Sequence, residues 1–325
     1  GYAGVAISGA MLAIKNVIGI GDIQAFIQYV RNLTQPLSQA AQVMNQVQSM
    51  GAAGERVFEF LAEEEETRDT DDAISTLDVE GFVEFDHVKF GYNPDQIIIN
   101  DFSASVKPGQ KIAIVGPTGA GKTTIVKLLM RFYDVNGGSI KIDGNDIRTM
   151  SRHGLRNNIA MVLQDTWLYS DTIMENIRYG NQDASDEEVI AAAKAARADR
   201  FIKTLPGGYN MVLNEDATNI SEGQKQLLTI ARAILADRKI LILDEATSSV
   251  DTRTEVRIQE AMDQLMKGRT TFVIAHRLST IRNADLILVM DHGDIIEQGT
   301  HDELLLESGA YADLYNSQFD EVEAS

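Results

Sequence analysis

From Gly81 onward, short apolar runs alternate with helix-compatible stretches. Val83, Phe85, Val88 and Phe90 lie in alternating segments of the kind a half-buried strand shows. The runs KIAIVG (111–116), NIAMVL (158–163), KILILD (239–244), TTFVIA (270–275) and DLILVM (285–290) are apolar almost throughout. Strands of that composition are buried on both faces, which predicts a mainly parallel sheet covered by helices. Ser185 with Glu188, and Ser221 with Gln224, have capping-box spacing and predict helix starts inside a helical insert at about 165–236. No internal repeat is visible. The expected fold class is α/β.

The first 62 residues read differently. GYAGVAISGAMLAI is an uncharged apolar run of 14 residues, short of the roughly 20 that an independent membrane span needs. It lacks the basic start of a signal peptide and an initiator Met. The expectation is the tail of a membrane helix cut from a larger polypeptide, and the alternative is a buried helix of a soluble domain. From Asp22 to about Gln48, Ile23, Phe26, Ile27, Val30 and Leu33 recur at helical spacing among many glutamines. Such a helix suits either a membrane bundle lining a wet cavity or an ordinary interface. The stretch 63–72, EEEETRDTDD, holds seven acids and one Arg. A like-charged run repels itself, so a solvated linker over 63–80 is expected between an N-terminal part, 1–62, and a domain at 81–325. The end FDEVEAS reads as a solvated tail.

Composition narrows the function. The chain has 325 residues, 44% apolar and 24% charged, which excludes wholly disordered, collagen-like and polytopic membrane chains. A formal charge of −19 argues against a broad nucleic-acid footprint, so no nucleic-acid partner is expected. The absence of cysteine excludes disulfide frameworks, thiol nucleophiles and Cys-ligated metals.

Gly116-Pro117-Thr118-Gly119-Ala120-Gly121-Lys122-Thr123 is a complete GxxxxGK[ST] between a predicted strand and the helix-compatible TIVKLLMRF. Glycines let the backbone wrap phosphate, amides and a helix N-terminus bind the anion, Lys122 adds positive charge and Thr123 can ligate Mg²⁺. The competing reading is a mere glycine-rich turn, which the strand–loop–helix context disfavours. At the end of KILILD, Asp244 and Glu245 place two carboxylates on a sheet edge. Asp244 is positioned to hold Mg²⁺ through water and Glu245 to polarise the water that attacks a γ-phosphate. Taken without the phosphate loop, that pair would be a helix N-terminal charge pair.

ISEGQ at 220–224 resembles the signature sequence Leu-Ser-Gly-Gly-Gln of ABC transporters. The other motifs of that family follow in order. Tyr92 in FGYNP resembles the adenine-stacking aromatic, Gln164 in VLQD the Q-loop, Ser249-Val250-Asp251 the D-loop, and His276 in VIAHR the switch histidine. The resemblance covers 81 to about 320 and implies a P-loop NTPase nucleotide-binding domain with a RecA-like core, an antiparallel β subdomain and a helical subdomain. It also implies that 1–62 are the last membrane helices of an exporter half-transporter whose upstream helices are missing. ATP and Mg²⁺ are the implied cofactors. Thr124, next to Thr123, joins the nucleotide-binding set. Gln164 is implied near Mg²⁺ and the attacking water, and His276 at the γ-phosphate. Each has a bland reading: an edge-strand aromatic for Tyr92, a strand-end cap for Gln164 and a structural histidine for His276. Trp167, in QDTWLYSDTIMENI, resembles the surface that receives the membrane domain's coupling helices, or is a core residue.

In the family, ATP is sandwiched between the phosphate loop of one subunit and the signature segment of the other. Ser221, Gly223, Gln224 and Asp251 are therefore expected to serve the opposite site. The sequence departs from the family at Glu222, which replaces the first signature glycine. At about 6 Å and an effective dielectric near 20, a carboxylate facing a phosphate charge costs roughly 3 kcal/mol. Alternatively Glu222 occupies the first position of a helix capped by Ser221 and favours its dipole. With Glu245 intact, the chain resembles the subunit of asymmetric heterodimeric exporters that supplies the catalytic carboxylate; a homodimer is the other possibility. The implied function is ATP-driven export of amphipathic drugs or lipids across the cell membrane, with the ATPase domain on the cytoplasmic side. The alternative is a soluble ABC ATPase acting on ribosomes or DNA, which the apolar N-terminus and the single GxxxxGK[ST] oppose.

Overall fold

The computed structural model describes residues 2–70, 72–75, 78–93, 95–163, 166–244, 251–275 and 278–323. The chain divides into two units, Gly1–Arg68 and Asp69–Ser325.

The first unit is helical, with α1 at Tyr2–Ile14 and α2 at Ile20–Ala62. Gly9 is the one buried residue of α1, against Ile23 of α2, while α2 has none. The second helix runs well past the expected end at Gln48, through Gly51 and Gly54 and with Pro36 inside it. No helix among the described residues is long and apolar enough to cross a membrane.

In the second unit, β1 (Val83–Phe90), β2 (Ile99–Val106), β4 (Gly137–Ile142) and β5 (Asn145–Asp146) form an antiparallel sheet in the order β2-β1-β4-β5. A six-stranded sheet has the order β10-β9-β3-β8-β7-β6. Its strands are β3 (Lys111–Val115), β6 (Ile159–Val162), β7 (Ile240–Asp244), β8 (Thr270–Ile274), β9 (Leu286–Asp291) and β10 (Asp294–Gly299). All its pairings are parallel except β9 with β10.

Period-two geometry sorts the apolar runs between two cores. Ile112, Ile114, Ile240, Ile242, Phe272, Ile274, Leu288 and Met290 pack with residues of the antiparallel sheet and with Ile125, Leu128 and Leu129 of α3 (Lys122–Leu129). Ala113, Val115, Leu241, Leu243, Val273, Ile287 and Val289 face the opposite core. The remaining helices are α4 (Arg152–Arg156), α5 (Ile173–Arg178), α6 (Asp186–Ala195), α7 (Asp199–Ile202), α8 (Glu222–Ala236), α9 (Thr252–Met266), α10 (Leu278–Arg282), α11 (His301–Glu307) and α12 (Ala310–Glu323). Ile173, Val189, Leu227, Leu228, Ile258 and Leu304, on five of these helices, fill that second core. The helices α5 to α8 lie between β6 and β7, in the region expected to be a helical insert. Ser185 and Ser221 both close their capping boxes.

The described residues of the acidic stretch 63–72 are all exposed, yet one of them is tied to the domain. Asp69 accepts from the Arg152 backbone at 3.0 Å and from its guanidinium at 2.9 Å, and lies 3.7 Å from Arg131. Ile74 then exchanges backbone hydrogen bonds with Thr149 and Ser151. A carboxylate in a charged run stops behaving as linker once a fixed guanidinium is within reach.

Candidate functional site

The phosphate-loop residues join β3 to α3. Gly116 has φ +147°, and a Cβ there would lie 2.1 Å from the Met290 carbonyl oxygen of β9. That close approach of backbone to backbone requires glycine. Gly121, with φ +100°, ends the loop as the residue before α3. Ala120 is buried, and its carbonyl accepts from the Gly293 N–H of the β9–β10 turn at 3.2 Å. Pro117, Thr118, Gly119 and Thr123 are exposed, while Thr124 is buried on α3.

Lys122 opens α3. Its Nζ donates to the carbonyls of Gly116 at 2.7 Å and Pro117 at 2.9 Å. Burial pushes its pKa below the ordinary lysine value, and the charge of Asp244 opposes that shift. Asp244 is half-buried at the end of β7, paired in register with Ile274 of β8. The strands β3, β6, β7 and β8 run parallel, so their carboxyl ends share one edge, where α/β sheets bind ligands. Gln164, Glu245 and His276, expected directly after three of these strands, lie outside the described residues, as do Ser249 and Val250 of the expected D-loop. Thr123 and Asp244 offer hard oxygen donors of the kind Mg²⁺ takes.

Tyr92 is exposed, with its hydroxyl 3.5 Å from Thr124 Oγ1 and the Lys127 ammonium 5.6 Å from its ring centroid. The ring therefore stands beside α3. Neither Lys127 nor Tyr133 belongs to a motif of the sequence, yet the Tyr133 ring centroid is 5.0 Å from that of Tyr92. The only trace was an aromatic pair, Phe132-Tyr133, placed just after the phosphate-loop helix.

The signature segment sits at the start of α8. Ser221 Oγ accepts from Gln224 N at 3.3 Å, and Gln224 Oε1 accepts from Ser221 N at 3.0 Å. Gly223 is buried and Glu222 exposed. The Glu222 carboxylate pairs with Lys225 at 2.8 Å. Asp251 caps α9, accepting from Thr254 N at 3.0 Å, and hydrogen bonds from the Thr254 side chain and then its backbone lower the Asp251 pKa.

Trp167 is not a core residue. It is 62% exposed, stacks on Tyr169 and meets Tyr179 edge-on, with its carbonyl accepting from Arg232.

A family model described as "ABC transporter" matches residues 99–248. The chain is 54% identical over 311 residues, 96% of its length, to a protein of Mycobacterium bovis named "Fatty acid ABC transporter ATP-binding/permease protein", covering 49% of that relative. It is 43% identical over 321 residues to an "ATP-dependent lipid A-core flippase" of Syntrophus aciditrophicus, covering 99% of this chain and 53% of that protein. A solved structure of a bacterial Atm1-family ABC exporter with ATP bound superposes with a TM-score of 0.76 and 41% identity, over 93% of this chain and 53% of that one. The chain thus spans about half the length of the curated relatives it matches.

Proposed function

The chain belongs to the ABC transporter family, and we propose that it is the ATP-binding and ATP-hydrolysing part of an exporter half-transporter. One observation carries this reading: the phosphate loop stands at the β3–α3 junction with Lys122 near enough to feel the charge of Asp244, on the sheet edge where β6, β7 and β8 also end.

In this reading Tyr92 stacks on the base. The backbone of Gly116, Pro117, Thr118, Gly119, Ala120 and Gly121 wraps the phosphates, joined by Thr124 and by the Lys122 ammonium, which offsets charge building on the γ-phosphate. Thr123, Asp244 and Gln164 are the residues that would hold Mg²⁺, which when bound neutralises phosphate charge. Glu245 orients or deprotonates the attacking water, Gln164 lies near that water, and His276 contacts the γ-phosphate. Ser221, Gly223, Gln224 and Asp251 complete the site of a second subunit, so the unit of catalysis is a dimer with two composite sites.

We propose a heterodimer whose partner carries the usual signature and, at the position facing ISEGQ, something other than a catalytic glutamate. The Lys225 pairing lessens the repulsion that Glu222 would exert and leaves the homodimer as the competing outcome. The cargo is an amphipathic drug or lipid, and the names of two relatives favour lipid. Residues 1–62 join further membrane helices, and the ATPase domain faces the cytoplasm.

The test is the native mass of the full-length product, purified from its own host membrane in detergent. A second, different subunit of half-transporter size is expected. Recovery of the product outside the membrane fraction, with no transporter-sized partner, would overturn the exporter reading; a homodimer would overturn the asymmetric one.

A further inference from the structure

We propose that Tyr133 is a positioning residue for Tyr92, so that the base of ATP is held by a braced pair of aromatic side chains and not by a lone tyrosine. The inference rests on the reading of Tyr92 given above and adds the residue that fixes its ring.

The two tyrosine rings lie 5.0 Å apart at 81°, inside the range of about 4.5 to 7 Å over which edge-to-face pairs attract. Phe90, 3% exposed at the end of β1, touches both, at 5.0 Å to Tyr92 and 5.6 Å to Tyr133. A buried phenylalanine thus anchors two tyrosines that emerge to solvent at 41% and 44% exposure. A tyrosine exposed to that degree is not held by burial, and binding a base must fix its rotamer at an entropic cost. A lateral ring contact meets that cost before the ligand arrives.

Tyr133 can brace Tyr92 only if its own segment is fixed, and that segment is tied down on both sides. Arg131, its side chain only 8% exposed, donates to Asp134 at 2.8 Å and to the carbonyls of Met150 and Ile147 at 2.6 and 3.2 Å. Asn136 accepts from the Gly91 N–H at 2.7 Å, next to Tyr92, and its own N–H donates to the Lys89 carbonyl at 2.9 Å. Residues 131–136 and 89–92 therefore form one unit beside α3. Tyr92 also meets α3, its hydroxyl 3.5 Å from Thr124 Oγ1 and the Lys127 ammonium 5.6 Å from its ring centroid. The phosphate-loop carbonyls that bind Lys122 take no part in these contacts, and Thr124 is the one residue of the proposed phosphate-binding set among them, so loss of the Tyr133 ring should weaken base recognition more than phosphate recognition.

The experiment measures binding of Mg-ATP and of inorganic tripolyphosphate with Mg²⁺ to the full chain and to Tyr133→Ala, Tyr133→Phe and Tyr92→Ala. Tyr133→Ala is expected to weaken ATP about three- to tenfold while tripolyphosphate stays within about twofold of wild type. Tyr133→Phe, which keeps the ring, is expected to restore ATP affinity. The inference is overturned if Tyr133→Ala binds ATP like wild type while Tyr92→Ala does not, or if Tyr133→Ala loses both ligands equally. If Tyr92→Ala itself leaves ATP affinity unchanged, the reading of Tyr92 falls and the inference falls with it.

Discussion

The Glu222 carboxylate lies 2.8 Å from the Lys225 ammonium, one helical turn along α8, and the same ammonium donates to the Asp216 carbonyl at 3.0 Å. The acid that replaces a signature glycine is therefore a paired charge at a helix N-terminus, where a carboxylate is favoured. Its side chain is 60% exposed, so water screens the pair and its worth is small.

In the proposed dimer, removing the counter-charge should expose the repulsion that Glu222 would exert on a facing phosphate. Lys225→Met is expected to slow turnover at the composite site served by this segment by roughly two- to fivefold. Adding Glu222→Gly in the same chain should return most of it. A double-mutant cycle of steady-state phosphate release checks this; equal loss with and without Glu222 would assign the effect to the Lys225–Asp216 contact instead.

At Gly116 the loop tolerates no side chain. Gly116→Ala would set a methyl 2.1 Å from the Met290 carbonyl oxygen, a fixed atom of β9. The variant is expected to lose about 2 to 3 kcal/mol of stability and to bind ATP poorly because the loop must move. Denaturant titration and nucleotide binding on one preparation test both halves.

Asp69 links two guanidiniums, Arg131 and Arg152, whose side chains are 8% and 11% exposed. Asp69→Ala removes one carboxylate from both and leaves Asp134 as their shared acid, 2.8 Å from Arg131 and 3.8 Å from Arg152. After allowance for the 30% exposure of Asp69, the expected cost is about 1 to 3 kcal/mol. Chemical denaturation of the full chain measures it.

His301 is buried with Nδ1 2.7 Å from the Tyr311 hydroxyl. Burial lowers its pKa, Asp302 acts to raise it and Arg282 to lower it. The unfolded imidazole takes up its proton near pH 6.5, the folded one only at lower pH. Stability from this group is thus complete above pH 6.5 and is lost as pH falls below it toward the folded value. The thermal midpoint should drop between pH 6.5 and pH 5, and His301→Asn should shrink that drop; an unchanged slope would remove His301 from the account.

What the sequence revealed, and what it hid, follows from how local each signal is. The strands of the six-stranded sheet were legible because Ile112 to Val115 and Ile240 to Leu243 feed both cores, leaving no polar interruption. The phosphate loop was legible because its glycines, lysine and threonine are consecutive. The extent of α2 was not, since Gly51 and Gly54 are poor helix formers and the apolar spacing fades beyond Gln48. Docking of Asp69 depends on arginines more than sixty residues away, and a charged run carries no mark of that. The Tyr92–Tyr133 contact joins two turns that share no periodicity. Trp167 could be read as core or surface until its burial was known.

The central claim is that this chain turns over ATP with Glu245 at the attacking water. The most direct test is phosphate release by the full chain in its native assembly with Mg-ATP, wild type beside Glu245→Gln, with ATP binding measured on the same samples. The account predicts that the variant binds ATP as tightly as wild type and releases almost no phosphate. Release at the wild-type rate by Glu245→Gln would contradict it.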